Sequence, residues 1–363
     1  MSAPGLQVTD LFSGSGIMSL GFKKTGFAIS RGFEIDETRC HVFRRNVRSG
    51  SCVMDLSSAS VEQIKSSLVE SKNIPDVVTG CPPCQSFSSL HRTRGIPTYL
   101  DGRTQLVEKY AELAIGIRPS VIVFENVSGI LARGNVPYFA RYVTKLEGAG
   151  YSTAWKLVDA ADFGIPQHRR RVIAISVLKD VKVDPTIPIS THSRFGGEGK
   201  RKWRDVRSAI GNLKPLNPGE RDRDDPLHFA SLHSENTLRI IRAIPKDGGS
   251  RKDLPRELVL PCHRKLDGKK GAESVYGRMK WSEPSPTITG ASIRPSSGRF
   301  THPDQDRGVT LREMARLQTI PDSFNYEGSK DEIAGMIGDA VPFELAKAIA
   351  SHVKRLLIEA NLA

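Results

Sequence analysis

The chain has 363 residues, which is enough to bury a sizeable core and to form two domains. Its 53 Lys and Arg residues outnumber 40 Asp and Glu, and this net charge of +13 favours a polyanionic partner over an acidic substrate. Five cysteines without a regular spacing, no apolar run near membrane-spanning length and no signal-peptide pattern at the start argue against secretion and membrane insertion, so we expect a soluble cytoplasmic protein.

A glycine-rich turn links the first predicted strand, residues 6–12, to a helix that we expect over Ile17 to about Lys24. Strand, glycine turn and helix in this order typically bind a phosphate or the edge of a nucleotide. Ser19 occupies the position of the third glycine in the dinucleotide fingerprint, so the match to NAD-binding proteins is weak. Gly14 and Gly16 nevertheless permit a ligand to approach the backbone closely.

Acidic residues end the next two predicted strands. Glu34 closes the second strand, and Asp55 lies at the end of a third short strand over 52–56. Glu34 is placed to accept hydrogen bonds from both ribose hydroxyls and Asp55 from an adenine amino group, with Ile35 as an apolar face for the ring. Either acid alone fits a helix N-cap equally well. Together with the glycine turn they favour adenosine without pyrophosphate, namely S-adenosylmethionine.

The stretch 76–88, DVVTGCPPCQSFS, predicts a candidate nucleophile. Its first four residues predict a buried strand that a glycine ends, and two prolines stiffen the following loop in front of Cys84. A thiol in that position is typical of covalent catalysis in α/β enzymes. The spacing of Cys81 and Cys84 also fits a redox dithiol or half of a zinc site, but the chain has no second pair to complete four zinc ligands. The polar residues 89–102 that follow form a candidate lid.

A carboxylate ends the next predicted strand. Residues 101–117 have helical spacing, and residues 120–127 form an apolar strand with Glu125 near its end. A carboxyl group in such a strand needs hydrogen-bond partners or a raised pKa. Glu125 is therefore either a structural residue held by backbone amides or a proton donor to a nitrogen base.

Three consecutive arginines lie where the second of two further predicted strands begins. Residues 152–160 and 170–177 predict a hairpin pair, joined through the sequence QHRRR at 167–171. Strand alternation places Arg169 and Arg171 on one face. There they either hold a carbonyl oxygen and a phosphate or form part of a solvated basic edge.

The composition changes from about Val181 onwards, where Pro, Gly, Lys and Arg dominate and only short helical pieces are predicted, near 204–213 and 231–244. A basic, loop-rich segment suits contact with a nucleic-acid groove. Regular structure returns with predicted helices over 310–318 and from Phe343 to about Ala360.

Taken together and in this order, the motifs resemble those of the DNA (cytosine-5) methyltransferases over nearly the whole chain. They are DLFSGSG (10–16), Glu34, Asp55, GCPPCQSFS (80–88), Arg103 to Leu106, FENV (124–127), QHRRR (167–171), LREMARLQTIPDSF (311–324) and GDAVP (338–342).

The resemblance implies an α/β fold, a doubly wound S-adenosylmethionine-dependent sheet of the Rossmann-like type with a smaller, irregular target-recognition domain. It implies a catalytic domain over residues 1–178, a DNA-binding domain over 179–285, and a segment 286–363 that returns to complete the catalytic domain.

The resemblance also implies the roles in catalysis. Cys84 is the nucleophile that adds to C6 of cytosine, which turns C5 into a carbon that can accept the methyl group. Glu125 contacts N3 and the exocyclic amine, Arg171 holds the base O2 and Arg169 lies near the nucleophile. Because the target base is not accessible inside a duplex, it must be flipped out.

The remaining implied contacts are with cofactor and substrate. The residues assigned to S-adenosylmethionine are Phe12, Gly14, Gly16, Glu34, Ile35, Asp55, Leu56, Pro83 and Leu106, and those assigned to the substrate are Gln85, Ser88, Asn126 and Thr287. No metal is expected. The chain departs from the family in Asp339, where Asn is usual, and in Ile35, where an aromatic residue is frequent.

The implied setting is a prokaryotic or phage modification enzyme, a monomer acting on double-stranded DNA, with a restriction endonuclease that recognises the same site as a possible companion. An RNA methyltransferase of the same family is an alternative, although the Cys-Phe-Thr signature of the tRNA-modifying members is missing. A non-catalytic relative would lose the Pro-Cys pair or Glu125, and both are present. A thiol oxidoreductase built on Cys81 and Cys84 would leave Glu125 and the adenosine-type acids unexplained.

Overall fold

The computed structural model describes residues 5–70, 75–83, 105–132, 134–261 and 274–362. The chain divides into two compact units. The first unit comprises Met1–Asp159, Arg170–Ile189 and Val341–Ala363, and the second unit comprises Ala160–Arg169 and Ser190–Ala340. The predicted functional domains stay a prediction. The units differ from them in three segments: Ala160–Arg169 and residues 286–340 belong to the second unit, and residues 179–189 belong to the first.

The strands and helices are defined by these bounds. The strands are β1 Gln7–Leu11, β2 Ala28–Glu34, β3 Ser51–Val53, β4 Val77–Gly80, β5 Val121–Val127, β6 Tyr151–Asp159, β7 Arg170–Leu178, β8 His192–Ser193 and β9 Arg201–Lys202. The helices are α1 Ile17–Lys24, α2 Glu37–Val47, α3 Val61–Glu70, α4 Gln105–Ile117, α5 Val136–Gly148, α6 Val206–Ile210, α7 Glu235–Ala243, α8 Leu311–Leu317, α9 Lys330–Asp339 and α10 Phe343–Glu359. Short 3-10 turns lie at Ser128–Leu131, Ala160–Phe163, Lys179–Val181, Arg251–Asp253, Arg256–Leu258, Gly290–Ile293 and Pro295–Ser297.

A seven-stranded sheet forms the centre of the first unit, with strand order β3-β2-β1-β4-β5-β7-β6. The first five strands in this order are parallel to one another, and β7 runs antiparallel to both of its neighbours. The pairing of β6 with β7 confirms the predicted hairpin. Parallel strands joined through helices require apolar surface on both faces of the sheet, which is why β4 and β5 are almost continuous apolar runs.

Helices cover the two faces of this sheet, which confirms the predicted α/β class. Apolar side chains of α3, α4 and α5 share one buried cluster with Leu11, Phe33 and Phe124 of the strands. Asp10, the neighbour of Leu11, points to the opposite face, where its carboxylate contacts α1. Helix α10, the last of the described chain, packs along α1.

The second unit has little regular structure, and buried charged groups hold its loops together. The side chain of Arg278 is fully buried and donates to the carbonyl oxygens of Ile241, Ile244, His302 and Gln305. The buried guanidinium of Arg307 binds both carboxylate oxygens of Glu313, at 2.8 and 2.7 Å. A small apolar cluster packs beside Arg278 and consists of Ile240, Ile241, Ile244 and Tyr276.

Candidate active site

The glycine turn of the first unit is fixed in shape by its surroundings. Gly16 is the N-cap of α1 with φ of +90°, and a Cβ atom there would lie 2.6 Å from Phe43 and 2.7 Å from Val47. Only glycine satisfies both the left-handed backbone and the contact with α2. The backbone N–H of Gly14 donates to Oε2 of Glu34 at 2.9 Å, so the turn is joined to the end of β2.

Two acids and two exposed apolar side chains stand together where β2 and β3 end. Glu34 pairs in register with Val53, and its second carboxylate oxygen accepts from the backbone N–H of Ile35 at 3.0 Å. Ile35 is 62% exposed and Val53 is 49% exposed. Asp55 is exposed, and the hydrogen bond that it accepts from Ser57 lowers the pKa of its carboxyl group.

The other predicted cofactor residues differ in how much of their side chain a ligand can reach. Phe12, Pro83 and Leu106 are half-buried, so part of each side chain is accessible. Leu56 is buried in the core cluster of the sheet, so a ligand at this position would meet the backbone rather than the side chain.

A buried carboxyl group connects the glycine turn to the strand before the predicted nucleophile. Asp10 of β1 accepts from the Ser19 hydroxyl at 2.6 Å and from the Thr79 hydroxyl at 2.9 Å. Burial, without a cation to offset it, raises the pKa of Asp10 to about 6. Sequence analysis assigned no role to Asp10, although the acid inside an apolar strand was a signal for a buried hydrogen-bonded group.

The predicted nucleophile lies outside the described residues, as do Gln85, Ser88 and the loop 89–102. The described chain reaches Pro83, and the side-chain amide of Asn126 donates to the carbonyl oxygen of Pro82 at 3.2 Å. Because β4 and β5 pair with Gly80 opposite Phe124, the start of this loop runs beside the end of β5.

Two predicted catalytic residues meet at that end of the sheet. Arg171 of β7 brings its Nε to 2.9 Å from Oε1 of Glu125, and both side chains are about nine-tenths buried. The antiparallel pairing of β5 with β7, with Val127 opposite Arg171, brings the guanidinium to the carboxylate. The pair fixes the direction of the Glu125 side chain within the first unit.

Arg169 lies in a different environment from Arg171. Strand β7 begins at Arg170, so the alternation that places both arginines on one face does not extend to Arg169. Arg169 belongs to the second unit, where its buried guanidinium donates to the carbonyl oxygens of Ile288 at 2.8 Å and Gly338 at 3.0 Å. The Thr287 hydroxyl lies beside it and donates to the carbonyl oxygen of His168 at 2.7 Å.

The described residues contain no group of three His, Cys, Asp or Glu side chains that is arranged to hold a metal ion. In the same part of the chain, no helix has both the length and the apolar character needed to cross a bilayer.

Comparison with known proteins gives one consistent result. A family model described as C-5 cytosine-specific DNA methylase matches residues 6–355. Type II methylase M.HgiDII of Herpetosiphon aurantiacus is 33% identical over 96% of this chain and 95% of its own length. Type II methyltransferase M.NgoFVII of Neisseria gonorrhoeae is 32% identical over 94% of this chain and 86% of its own. Among solved structures, a prophage-encoded DNA modification methyltransferase of E. coli aligns with a TM-score of 0.72 at 24% identity and covers 97% of this chain and 99% of its own, which bears on the fold.

Proposed function

Because the chain belongs to the C-5 cytosine-specific DNA methylase family, we propose that it methylates C5 of a flipped-out cytosine in a specific sequence of double-stranded DNA. The methyl donor is S-adenosylmethionine, and the reaction passes through a covalent bond between Cys84 and C6 of the base. The observation that carries this proposal is the buried pair of Glu125 and Arg171 beside the strand that leads to Cys84.

The cofactor fits the end of the sheet in the first unit. A Cβ atom on Gly14 would find no atom closer than 3.9 Å, so the turn leaves room for a ligand against the backbone. The exposed Ile35 and Val53 offer an apolar surface for an adenine, and the carboxylates of Glu34 and Asp55 offer acceptors for ribose hydroxyls and an amino group. When bound, S-adenosylmethionine supplies an electrophilic methyl group on sulfonium sulfur.

The residues of the chain make C5 of cytosine reactive. The Cys84 thiolate forms a bond to C6, and the displaced electron pair makes C5 nucleophilic while N3 takes up a proton. Glu125 holds a proton or hydrogen bond at N3, and Arg171 binds the developing negative charge at O2. After C5 has received the methyl group, loss of the C5 proton expels Cys84 as thiolate. N3 returns its proton to Glu125, and this restores the neutral ring.

The roles of the remaining groups follow from this assignment. The buried Asn126 fixes the backbone at Pro82, and Gln85, Ser88 and Thr287 contact the DNA substrate. Arg169 orders the backbone at Ile288 and Gly338 rather than contacting the base through a free guanidinium. Following the family resemblance, residues 179–285 recognise the DNA sequence. The enzyme is a cytoplasmic monomer. A companion restriction endonuclease would recognise the same DNA site without contacting it.

Labelling with tritiated S-adenosylmethionine tests the substrate. We expect label at cytosine C5 in unmethylated genomic DNA, and bisulfite sequencing then maps the site. Label in tRNA alone would support the RNA-methylating alternative, and label in neither would support a non-catalytic relative.

The two neighbouring cysteines test the mechanism. We expect Cys84→Ser to reduce methyl transfer to background, because the serine hydroxyl is not ionised at neutral pH, while S-adenosylmethionine affinity changes within a few-fold. Cys81→Ser is the matched control and should retain most of the activity. Equal losses in both variants, or loss of cofactor binding with Cys84→Ser, would contradict the assignment of Cys84 as nucleophile.

A further inference from the structure

The turn between β8 and β9 in the second unit exposes an aromatic side chain. Phe195 is 83% exposed, and the guanidinium of Arg194 lies 5.3 Å from the centre of its ring. Single exposed apolar residues are common on protein surfaces. The backbone and the charges around Phe195 distinguish it from such residues.

The backbone that follows Phe195 forms a tight turn. Gly196, Gly197 and Gly199 have φ values of +74°, +84° and +77°, and the N–H of Lys200 donates to the carbonyl oxygen of Gly197 at 2.9 Å. Larger side chains adopt such φ values rarely. A turn of this kind presents Phe195 on a defined backbone rather than on a long loop.

The charges around Phe195 match a polyanion. Residues 194–204 carry five cations, Arg194, Lys200, Arg201, Lys202 and Arg204, against the single acid Glu198. Among the residues that the structure describes, none of these five cations lies within ion-pair distance of a carboxylate. Their charge is therefore available to phosphate groups.

The base of this turn is fixed to the segment Ala160–Arg169 of the same unit. The indole N–H of Trp203 donates to the Asp162 carboxylate at 2.9 Å, and its ring meets the His168 ring edge to face at 4.9 Å. The N–H of Thr191 donates to the carbonyl oxygen of Asp162 at 2.9 Å. The turn that exposes Phe195 is thus held by the segment Ala160–Arg169 of the second unit.

We propose that Phe195 is a wedge that stacks on the bases left unstacked when the target cytosine leaves the duplex, while the surrounding cations bind the flanking phosphates. This inference rests on the proposed function, since it requires duplex DNA with a flipped base. Removing one base from the stack leaves its neighbours and its pairing partner exposed, and an aromatic ring stacked on an exposed base offsets part of that loss.

Binding to two duplexes tests the wedge. One duplex contains the site mapped with the wild-type enzyme, the other lacks it, and both are measured with S-adenosylhomocysteine present so that no turnover occurs. We expect Phe195→Ala to weaken binding to the site duplex by roughly 5- to 150-fold, the equivalent of about 1–3 kcal/mol of stacking. Binding to the duplex without the site should change by less than about threefold, because there no base is flipped.

Matched variants separate stacking from simple apolar contact. Phe195→Trp retains an aromatic face and should bind the site duplex within about threefold of wild type, whereas Phe195→Leu should resemble the alanine variant. Leu232→Ala removes another exposed apolar side chain, 77% exposed, and should have no effect. Unchanged unfolding midpoints exclude a folding defect.

Three results would overturn the wedge: unchanged binding by Phe195→Ala, equal losses on both duplexes, or equal losses with Leu232→Ala. Failure of the proposed function is recognised separately, because the wild-type enzyme would then label no DNA cytosine.

Discussion

Each of the two units contains a buried carboxyl group whose pKa is shifted, and the two shifts have opposite directions. In the first unit Asp10 has only hydroxyl partners, Ser19 and Thr79, and burial raises its pKa to about 6. In the second unit Glu313 is just as buried, but the guanidinium of Arg307 binds both of its oxygens and outweighs the burial, which lowers its pKa to about 2. The partner of the carboxyl group, rather than its depth of burial, decides the direction in which its pKa shifts.

The contrast reflects how each unit is stabilised. The first unit packs apolar side chains of helices against a sheet, and among its described residues Asp10 and Glu125 are the buried acids. The second unit has few regular elements and relies on fully buried arginines such as Arg278 and Arg307, which bind backbone carbonyl oxygens and acids. Part of the positive charge that the sequence assigns to a DNA-binding surface is therefore structural, and net charge overstates the charge available to DNA.

Breaking the buried ion pair of Arg307 and Glu313 should have the largest effect on stability. Arg307→Leu leaves the Glu313 carboxylate buried without its guanidinium, and we expect a loss of about 3–5 kcal/mol in the stability of the second unit. The double variant Arg307→Leu/Glu313→Leu should recover much of that loss, because it removes both charges.

Tryptophan fluorescence makes this measurement specific. Trp203 and Trp281 belong to the second unit, and Trp155 belongs to the first, so urea unfolding in a Trp155→Phe background reports on the second unit. If Arg307→Leu alone were as stable as its parent, the structural role of the Arg307–Glu313 pair would be contradicted.

The pH dependence of stability tests the buried carboxyl group of the first unit, Asp10. Since the folded pKa of Asp10 is raised from 3.8 to about 6, its contribution to stability is complete below about pH 4 and is lost as the pH rises to about 6. The loss amounts to about 3 kcal/mol in total, of which about half falls above pH 5. Asp10→Asn should therefore gain about 1–1.5 kcal/mol relative to wild type between pH 5 and pH 7.5, measured by urea unfolding.

An exposed acid provides the control for this series. Asp36 is the N-cap of α2, and asparagine caps a helix equally well, so Asp36→Asn should show no such trend. If the difference between Asp10→Asn and wild type were the same at both pH values, the raised pKa of Asp10 would be refuted.

The smallest expected effect is on the salt dependence of DNA binding, and it distinguishes a lysine without an ion-pair partner from a lysine that is paired with acids. Lys202 is exposed and has no ion-pair partner among the described residues, whereas Lys214 contacts Asp222 at 2.9 Å and Asp224 at 2.7 Å. We expect Lys202→Ala to reduce the slope of log affinity against log salt by about 1 for duplex DNA, and Lys214→Ala to leave it unchanged. Equal slopes in both variants would argue against phosphate contacts by the turn that carries Phe195.

The strands of the first unit were predicted from apolar runs and from the glycine or acidic residues near their ends, and these signals are clearest in β4 and β5. The helix over Ile17–Lys24 has the predicted bounds, and α4, β5 and β7 begin within a few residues of the expected positions. Helix α2 was not predicted because charged residues dominate it, although Asp36 as N-cap was a visible signal. The packing of the second unit was not predictable, since its stabilising pairs join residues far apart in sequence, such as Arg312 and Asp225.

At the candidate site, the motif order predicted roles for Glu125 and Arg171, and the pairing of β5 with β7 brings their side chains together. The sequence did not reveal that Arg169 would bind carbonyl oxygens of the second unit, because the partners at Ile288 and Gly338 carry no side-chain signal.

The path of the chain has a consequence for synthesis and folding. The polypeptide passes between the two units four times, after Asp159, Arg169, Ile189 and Ala340, and α10 packs on α1 more than 300 residues earlier in the chain. Such contacts close very long loops, which favours slow folding. A ribosome-bound chain cannot complete the first unit until α10 has emerged, so an amino-terminal fragment that ends before Val341 would expose the apolar face of α1 and be prone to aggregation.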